Sequence, residues 1–146
     1  MPATIKGVIP VTMLDWDGKL ATTLFVGGCN YRCPFCHNAD LVLSPESLPD
    51  IEWEKVEEHL KRKESWIDGI CITGGEPTIH PDLPGLLEKI KSLGFAVKLD
   101  TNGARPDVLR KLIRAELIDY LAMDIKTSFE KYSQAVKTSA DIAKIK

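Results

Sequence analysis

Apolar residues along this 146-residue chain come in two alternating rhythms. Short β-rich runs at 20–26, 69–73, 95–99 and 120–123 carry branched and aromatic residues and predict buried strands. Between them the apolar residues recur at helical spacing. Ile51, Trp53, Val56 and Leu60 predict a helix opened by Leu48-Pro49-Asp50, with Asp50 as its N-cap. Leu83, Leu86, Leu87, Ile90 and Leu93 predict a second, stopped by Gly94. Val108, Leu109, Leu112 and Ile113 predict a third that starts near Pro106. Phe129, Tyr132 and Val136 predict a last one from about Ser128. An extended segment over 5–14 comes first, followed by a turn at Asp15-Trp16-Asp17-Gly18, where Asp-Gly is a hairpin signal.

The order that results is βαβαβαβα. Such alternation with short connections demands a mainly parallel sheet with right-handed crossovers. The expected fold is therefore α/β, a single domain over 1–146. Each unusual motif falls just past the C-terminal end of a predicted strand: Gly27-Gly28-Cys29, Gly74-Gly75-Glu76-Pro77, Asp100-Thr101-Asn102-Gly103 and Asp124-Ile125-Lys126. In a β/α barrel that end is the active face.

Composition narrows the function classes. Hydrophobic residues make up 44% and charged ones 27%, enough apolar material for a real core. A formal net charge of −2 gives no electrostatic case for nucleic acid or an anionic membrane. The longest apolar run is too short to span a bilayer. The basic run Lys61-Arg62-Lys63 follows Glu57-Glu58 and reads as a solvated helix end, where cations suit the dipole.

The chemistry concentrates in Cys29, Cys33 and Cys36, spaced C-x3-C-x2-C. Three thiolates from one loop can hold three corners of a cubane iron-sulfur cluster and leave one iron open to a substrate. A zinc site is the alternative, though it usually wants four ligands with paired C-x2-C spacings. A disulfide framework belongs to small secreted chains, and no apolar signal segment opens this one. Reduced thiols imply a cytoplasmic, low-oxygen setting. Gly74 and Gly75 would let a ligand approach the backbone closely, and Glu76 offers an acceptor for an ammonium group. Cys71, inside a predicted strand, reads as a small core hydrophobe. Trp16, Trp53 and Trp66 read as packing in the core or at its margins. Lys98 shares a strand face with Asp100, either as a counter-charge inside the barrel or as a solvated side chain.

The cysteine spacing, with aromatic Phe35 just before the last cysteine, resembles the radical S-adenosylmethionine (SAM) enzymes. That resemblance implies a partial (β/α) barrel, a 4Fe-4S cluster on Cys29, Cys33 and Cys36, and SAM bound through Gly74, Gly75 and Glu76. The Asp100-Thr101-Asn102-Gly103 and Met123-Asp124-Ile125-Lys126 segments resemble glycyl-radical-enzyme activases, including the pyruvate formate-lyase activating enzyme. By that likeness Asp100, Thr101, Met123 and Asp124 map to a monovalent-cation site beside SAM, and Asn102 and Lys126 to SAM itself. Cys36-His37-Asn38 resembles the anaerobic ribonucleotide reductase activating proteins and makes Phe35 and His37 SAM neighbours. Asp17 stands where those proteins usually have proline. The implied activity is reductive cleavage of SAM to a 5′-deoxyadenosyl radical that creates a glycyl radical on a partner enzyme. The implied partner is an anaerobic ribonucleotide reductase, with a flavodoxin- or ferredoxin-like electron donor. Longer activases have further βα units, so only about four are expected here, as a truncated barrel or one completed by a partner. Two alternatives stay open. One is a small-molecule radical SAM enzyme of the deazapurine carboxylate synthase type. The other is a non-catalytic cluster or zinc scaffold.

Overall fold

The computed structural model describes residues 5–13, 16, 18–27, 49–63, 65–103 and 105–123. Among the described residues, five strands form one sheet in sequential order: β1 (Ile5–Thr12), β2 (Ala21–Val26), β3 (Gly69–Gly74), β4 (Ala96–Thr101) and β5 (Tyr120–Met123). Pairs β2–β3, β3–β4 and β4–β5 are parallel, and β1 runs antiparallel against β2. Helices α1 (Trp53–Lys63), α2 (Leu83–Ser92) and α3 (Pro106–Arg114) fill the connections. Sequential strand order, with all three helices in one core, is the curl of a β/α barrel and not of a doubly wound sheet.

Strand alternation sorts the side chains into two faces. Leu24, Ile70, Ile72, Val97 and Leu99 pack against Val56 and Leu60 of α1, Leu83, Leu87 and Ile90 of α2, and Leu109 and Leu112 of α3. The other face carries Thr23, Cys71 and Lys98 side by side in register, with Asp100 two residues further along β4. Trp16 closes the N-terminal end of this inner face. A Cβ on Gly69 would lie 2.5 Å from its ring, and Tyr120 meets it with ring centroids 6.2 Å apart.

Two aspartates clamp neighbouring strands just before a strand begins. Asp68 accepts from the Leu20 amide (2.9 Å) and Asp119 from the Val97 amide (2.8 Å). Their own amides return bonds to the Leu20 and Val97 carbonyls, both 2.8 Å. Each clamp helps set the parallel register. Gly94 ends α2 as expected, with φ of +91° and its amide on the Lys91 carbonyl.

Several expectations are corrected. Asp50 does not cap α1, which begins at Trp53. It pairs instead with Lys6, while Ile51 is extended and donates to the Ile5 carbonyl at 2.7 Å. Ile113 is 52% exposed, because the buried stripe of α3 runs through Leu109 and Leu112 and the chain continues it at Leu117. Trp66 is 67% exposed, with Lys63 over its ring, so it packs no core. The hairpin signal at Asp17-Gly18, by contrast, is met: β1 and β2 pair antiparallel, the Lys19 amide donates to the Trp16 carbonyl at 3.0 Å, and Gly18 has φ of +76°. The helix expected from Ser128 lies outside the described residues.

Candidate functional site at the strand C-termini

The C-terminal ends of β2, β3, β4 and β5 stand side by side: Val26 pairs with Gly74, and Thr101 with Met123. Gly74 is obligatory there. Its φ is +117°, and a Cβ would fall 2.4 Å from the Val26 carbonyl oxygen. Gly75 then donates to that same oxygen at 2.9 Å. His80 Nε2 lies 2.7 Å from the Gly27 carbonyl, in the buried interior. The chain entering the cysteine segment is thus held by two strand-end contacts, one from Gly75 and one from His80.

Glu76 is the structural centre of this end. Its side chain is buried and accepts from four donors: the Thr78 amide (3.2 Å), the Thr78 hydroxyl, the Thr101 hydroxyl (2.6 Å) and the Asn102 amide (2.8 Å). Burial pushes its carboxyl above the usual range, and the bonds from Thr101, Thr78 and Asn102 pull the other way without cancelling it. The carboxylate therefore ties the loop after β3 to the end of β4. Thr101 in turn accepts from the Gly103 amide at 3.2 Å. Gly103, at φ +77°, sits under Met123, whose Cε would be 2.3 Å from an added Cβ.

Asp100 lies on the opposite face of β4 from Thr101. Lys98 Nζ stands 2.9 Å from Asp100 Oδ1, an ion-pair distance without hydrogen-bond alignment, and Cys71 Sγ donates to Oδ2 at 3.6 Å. Cys71 is fully buried, as expected of a small core residue, on the strand face it shares with Thr23 and Lys98 and outside the main apolar cluster.

Among the expected site residues, the structure thus brings Gly74, Gly75, Glu76, Thr101 and Asn102 together and places Gly103 and Met123 beside them. Asp100 is near in sequence but faces the other side. Cys29, Cys33, Phe35, Cys36, His37, Asp124 and Lys126 lie outside the described residues. Among the described residues, no three His, Cys, Asp or Glu side chains gather as a metal site. His80 escaped sequence reasoning. Its only signal was a histidine three residues after the Gly-Gly-Glu-Pro segment.

Comparison with known proteins bears on the family and the fold. A sequence model of the radical SAM superfamily matches residues 23–146. A Methanocaldococcus jannaschii protein, provisionally named a glycyl-radical enzyme activating enzyme, is 37% identical over 100% of this chain and 60% of its own length. The 7-carboxy-7-deazaguanine synthase of Neisseria meningitidis is 33% identical over 89% of this chain and 56% of its own. The chain therefore spans 60% or less of the length of these curated relatives. The crystal structure of QueE from Escherichia coli superposes with a TM-score of 0.56 at 22% identity, covering 70% of this chain and 53% of that one, and shows the shared fold. At the strand ends the described residues present the glycine backbone of Gly74 and Gly75, a segment whose shape is fixed by the Glu76 carboxylate and its own four donors. This chain belongs to the radical SAM superfamily, a family of enzymes that uses a 4Fe-4S cluster and SAM.

Proposed function

We propose that the protein is a glycyl-radical-enzyme activase. Cys29, Cys33 and Cys36 hold the cluster, with Phe35 and His37 beside SAM. The Gly74-Gly75-Glu76 loop receives the methionine moiety of SAM, its shape held by the Glu76 carboxylate. Asn102 and Lys126 add contacts to SAM. Held by those cysteines and reduced by one electron, a cluster would supply the electron that splits SAM into methionine and a 5′-deoxyadenosyl radical. The residues of this chain orient SAM and keep water from it. The partner is a glycyl radical enzyme, an anaerobic ribonucleotide reductase in the first instance, and the electron donor a flavodoxin- or ferredoxin-like protein. A reduced cluster calls for the cytoplasm. Among the described residues no helix is long and apolar enough to cross a membrane.

The observation that supports this reading most is the meeting of Gly74–Glu76 with Thr101–Gly103 and Met123 at the strand edge that runs on into the cysteine segment. Similarity to 7-carboxy-7-deazaguanine synthases supports a second reading, a small-molecule radical SAM enzyme acting on a purine-like substrate. One experiment separates them. Anaerobically reconstituted protein, SAM and reductant are mixed with a glycyl radical enzyme, or with a purine-like acid. The activase reading expects about four irons per chain, lost when Cys29, Cys33 or Cys36 is changed to Ala and kept in Cys71→Ala. It also expects the doublet signal of a glycyl radical. Turnover of the small molecule without that doublet transfers the assignment to the second reading. Tetrahedral zinc without iron uptake removes both.

A further inference from the structure

The inner face of the sheet holds a charged pair that the proposed function leaves unused. Lys98 and Asp100 lie two positions apart on β4 and so share a face. Lys98 Nζ is 2.9 Å from Asp100 Oδ1, with the side chains 13% and 29% exposed. The ammonium also stands 6.0 Å from the centre of the Tyr120 ring, whose electron-rich face favours a cation. Cys71 Sγ donates to the second carboxylate oxygen. Oδ2 of Asp100 thus has a hydrogen-bond donor, while Oδ1 has the Lys98 charge at ion-pair distance and no hydrogen bond among the described residues.

The likeness to activases assigns Asp100 to a monovalent-cation site. A potassium ion and a lysine ammonium offer a carboxylate the same thing: one positive charge in contact with an oxygen. Both cannot sit at Oδ1, because like charges a few ångströms apart in a half-buried site repel strongly. The lysine has the advantage of being tethered, so its presence does not depend on ion concentration.

We infer that Lys98 is a built-in cation, its ammonium standing at Asp100 in place of a monovalent metal ion, so that SAM binding in this protein is independent of potassium and sodium. The inference rests on the reading of the strand ends as a SAM site.

The test uses the reconstituted full chain in a buffer whose only small cation is a bulky quaternary ammonium ion, and in the same buffer with potassium chloride at equal ionic strength. Equilibrium dialysis measures SAM binding. Rubidium uptake, as a potassium surrogate, is measured separately without SAM. Wild type is expected to bind SAM within about twofold in the two buffers. It takes up no rubidium that Asp100→Asn abolishes. Lys98→Met keeps the stem and removes the charge. It is expected to lose roughly tenfold or more in SAM affinity without potassium, to recover with potassium, and to take up rubidium. Potassium-dependent SAM binding by wild type overturns the inference. So does Asp100-dependent rubidium uptake by wild type, or a Lys98→Met variant that needs no potassium. If that variant does not fold, the two wild-type measurements decide. If the chain binds no SAM in either buffer, the proposed function fails while the rubidium arm still decides the role of Lys98.

Discussion

Glu76 is the residue whose removal should be felt most, and its surroundings set the size of the effect. Glu76→Ala strips the acceptor from two backbone amides, Thr78 and Asn102, and from two hydroxyls, Thr78 and Thr101. The hydroxyls can rotate or take water. The amides are fixed by the backbone, and each buried donor left unmet costs about 1–3 kcal/mol. Relief of the buried charge, visible in the raised pKa, offsets part of this. A net loss of about 2–4 kcal/mol follows, a large share of the 5–15 kcal/mol typical of a domain. Glu76→Gln should cost only about 1 kcal/mol, because a side-chain amide facing the two hydroxyls finds acceptors there and only the Thr78 amide loses its partner. Urea titration followed by circular dichroism measures both variants. If Glu76→Ala stays within about 0.5 kcal/mol of wild type, the carboxylate is not the clip described here. SAM affinity should then be read from Glu76→Gln, since a loss in Glu76→Ala would mix binding with folding.

Other expectations concern the same end of the sheet. Gly74→Ala should destabilise by roughly 3 kcal/mol or more, since its Cβ meets the Val26 backbone, which cannot step aside. Gly103→Ala should cost about 1–2 kcal/mol, as its Cβ meets only the flexible Met123 side chain. Equal losses in denaturant melts would contradict the contrast. His80→Ala should cost about 1–3 kcal/mol by freeing the Gly27 carbonyl. It should also speed amide exchange at the end of β2, read by hydrogen-exchange mass spectrometry, and unchanged exchange would remove its anchoring role. Burial raises the Asp119 carboxyl, but the Lys91 hydrogen bond, the Val97 amide and the Lys91 charge together hold it below 3.8. Its contribution is therefore present above about pH 3.8 and is lost as pH falls through the lower folded value. With the side chain 41% exposed, Asp119→Asn should cost only about 1 kcal/mol at neutral pH and flatten the acid limb of the stability curve. An unchanged acid limb would count against the clamp.

Much of this architecture was readable before any coordinates. Strands and helices follow from where apolar residues recur, because burial on one face imposes that period. The radical SAM assignment follows from three cysteines and the glycine motif, because cluster ligation and close backbone approach tolerate few residue types. What stayed hidden depends on partners distant along the chain. Asp50 looks like a helix cap until Lys6 and the Ile5–Ile51 bridge claim the segment. Glu76 stands out in the sequence, but its partners do not, because Thr101 and Asn102 arrive from another strand to hold it. Cys71 is buried as its place in a strand suggests, but periodicity cannot tell that its face is the one shared with Lys98. Asp68 and Asp119 carried a faint signal, an acid just ahead of a strand, whose use depends on the neighbour's first amide.

The sequential strand order also bears on how the chain folds. The clamp between β4 and β5 joins residues 22 apart, Val97 and Asp119, whereas the clamp between β2 and β3 joins Leu20 and Asp68, 48 apart. Closing the longer loop costs only about 0.7 kcal/mol more by chain entropy, yet nonlocal pairings form late. The unit β3-α2-β4-α3-β5 should therefore assemble first and β2 dock onto it afterwards. Truncations at Leu99 would then slow folding, while those at Leu24 would mainly speed unfolding, and the reverse pattern in stopped-flow kinetics would refute this order. The three cysteines lie in the stretch that the last pairing closes. A cluster delivered early would meet an open chain and brace the final docking step, so iron supply would govern how fast the barrel wall is completed.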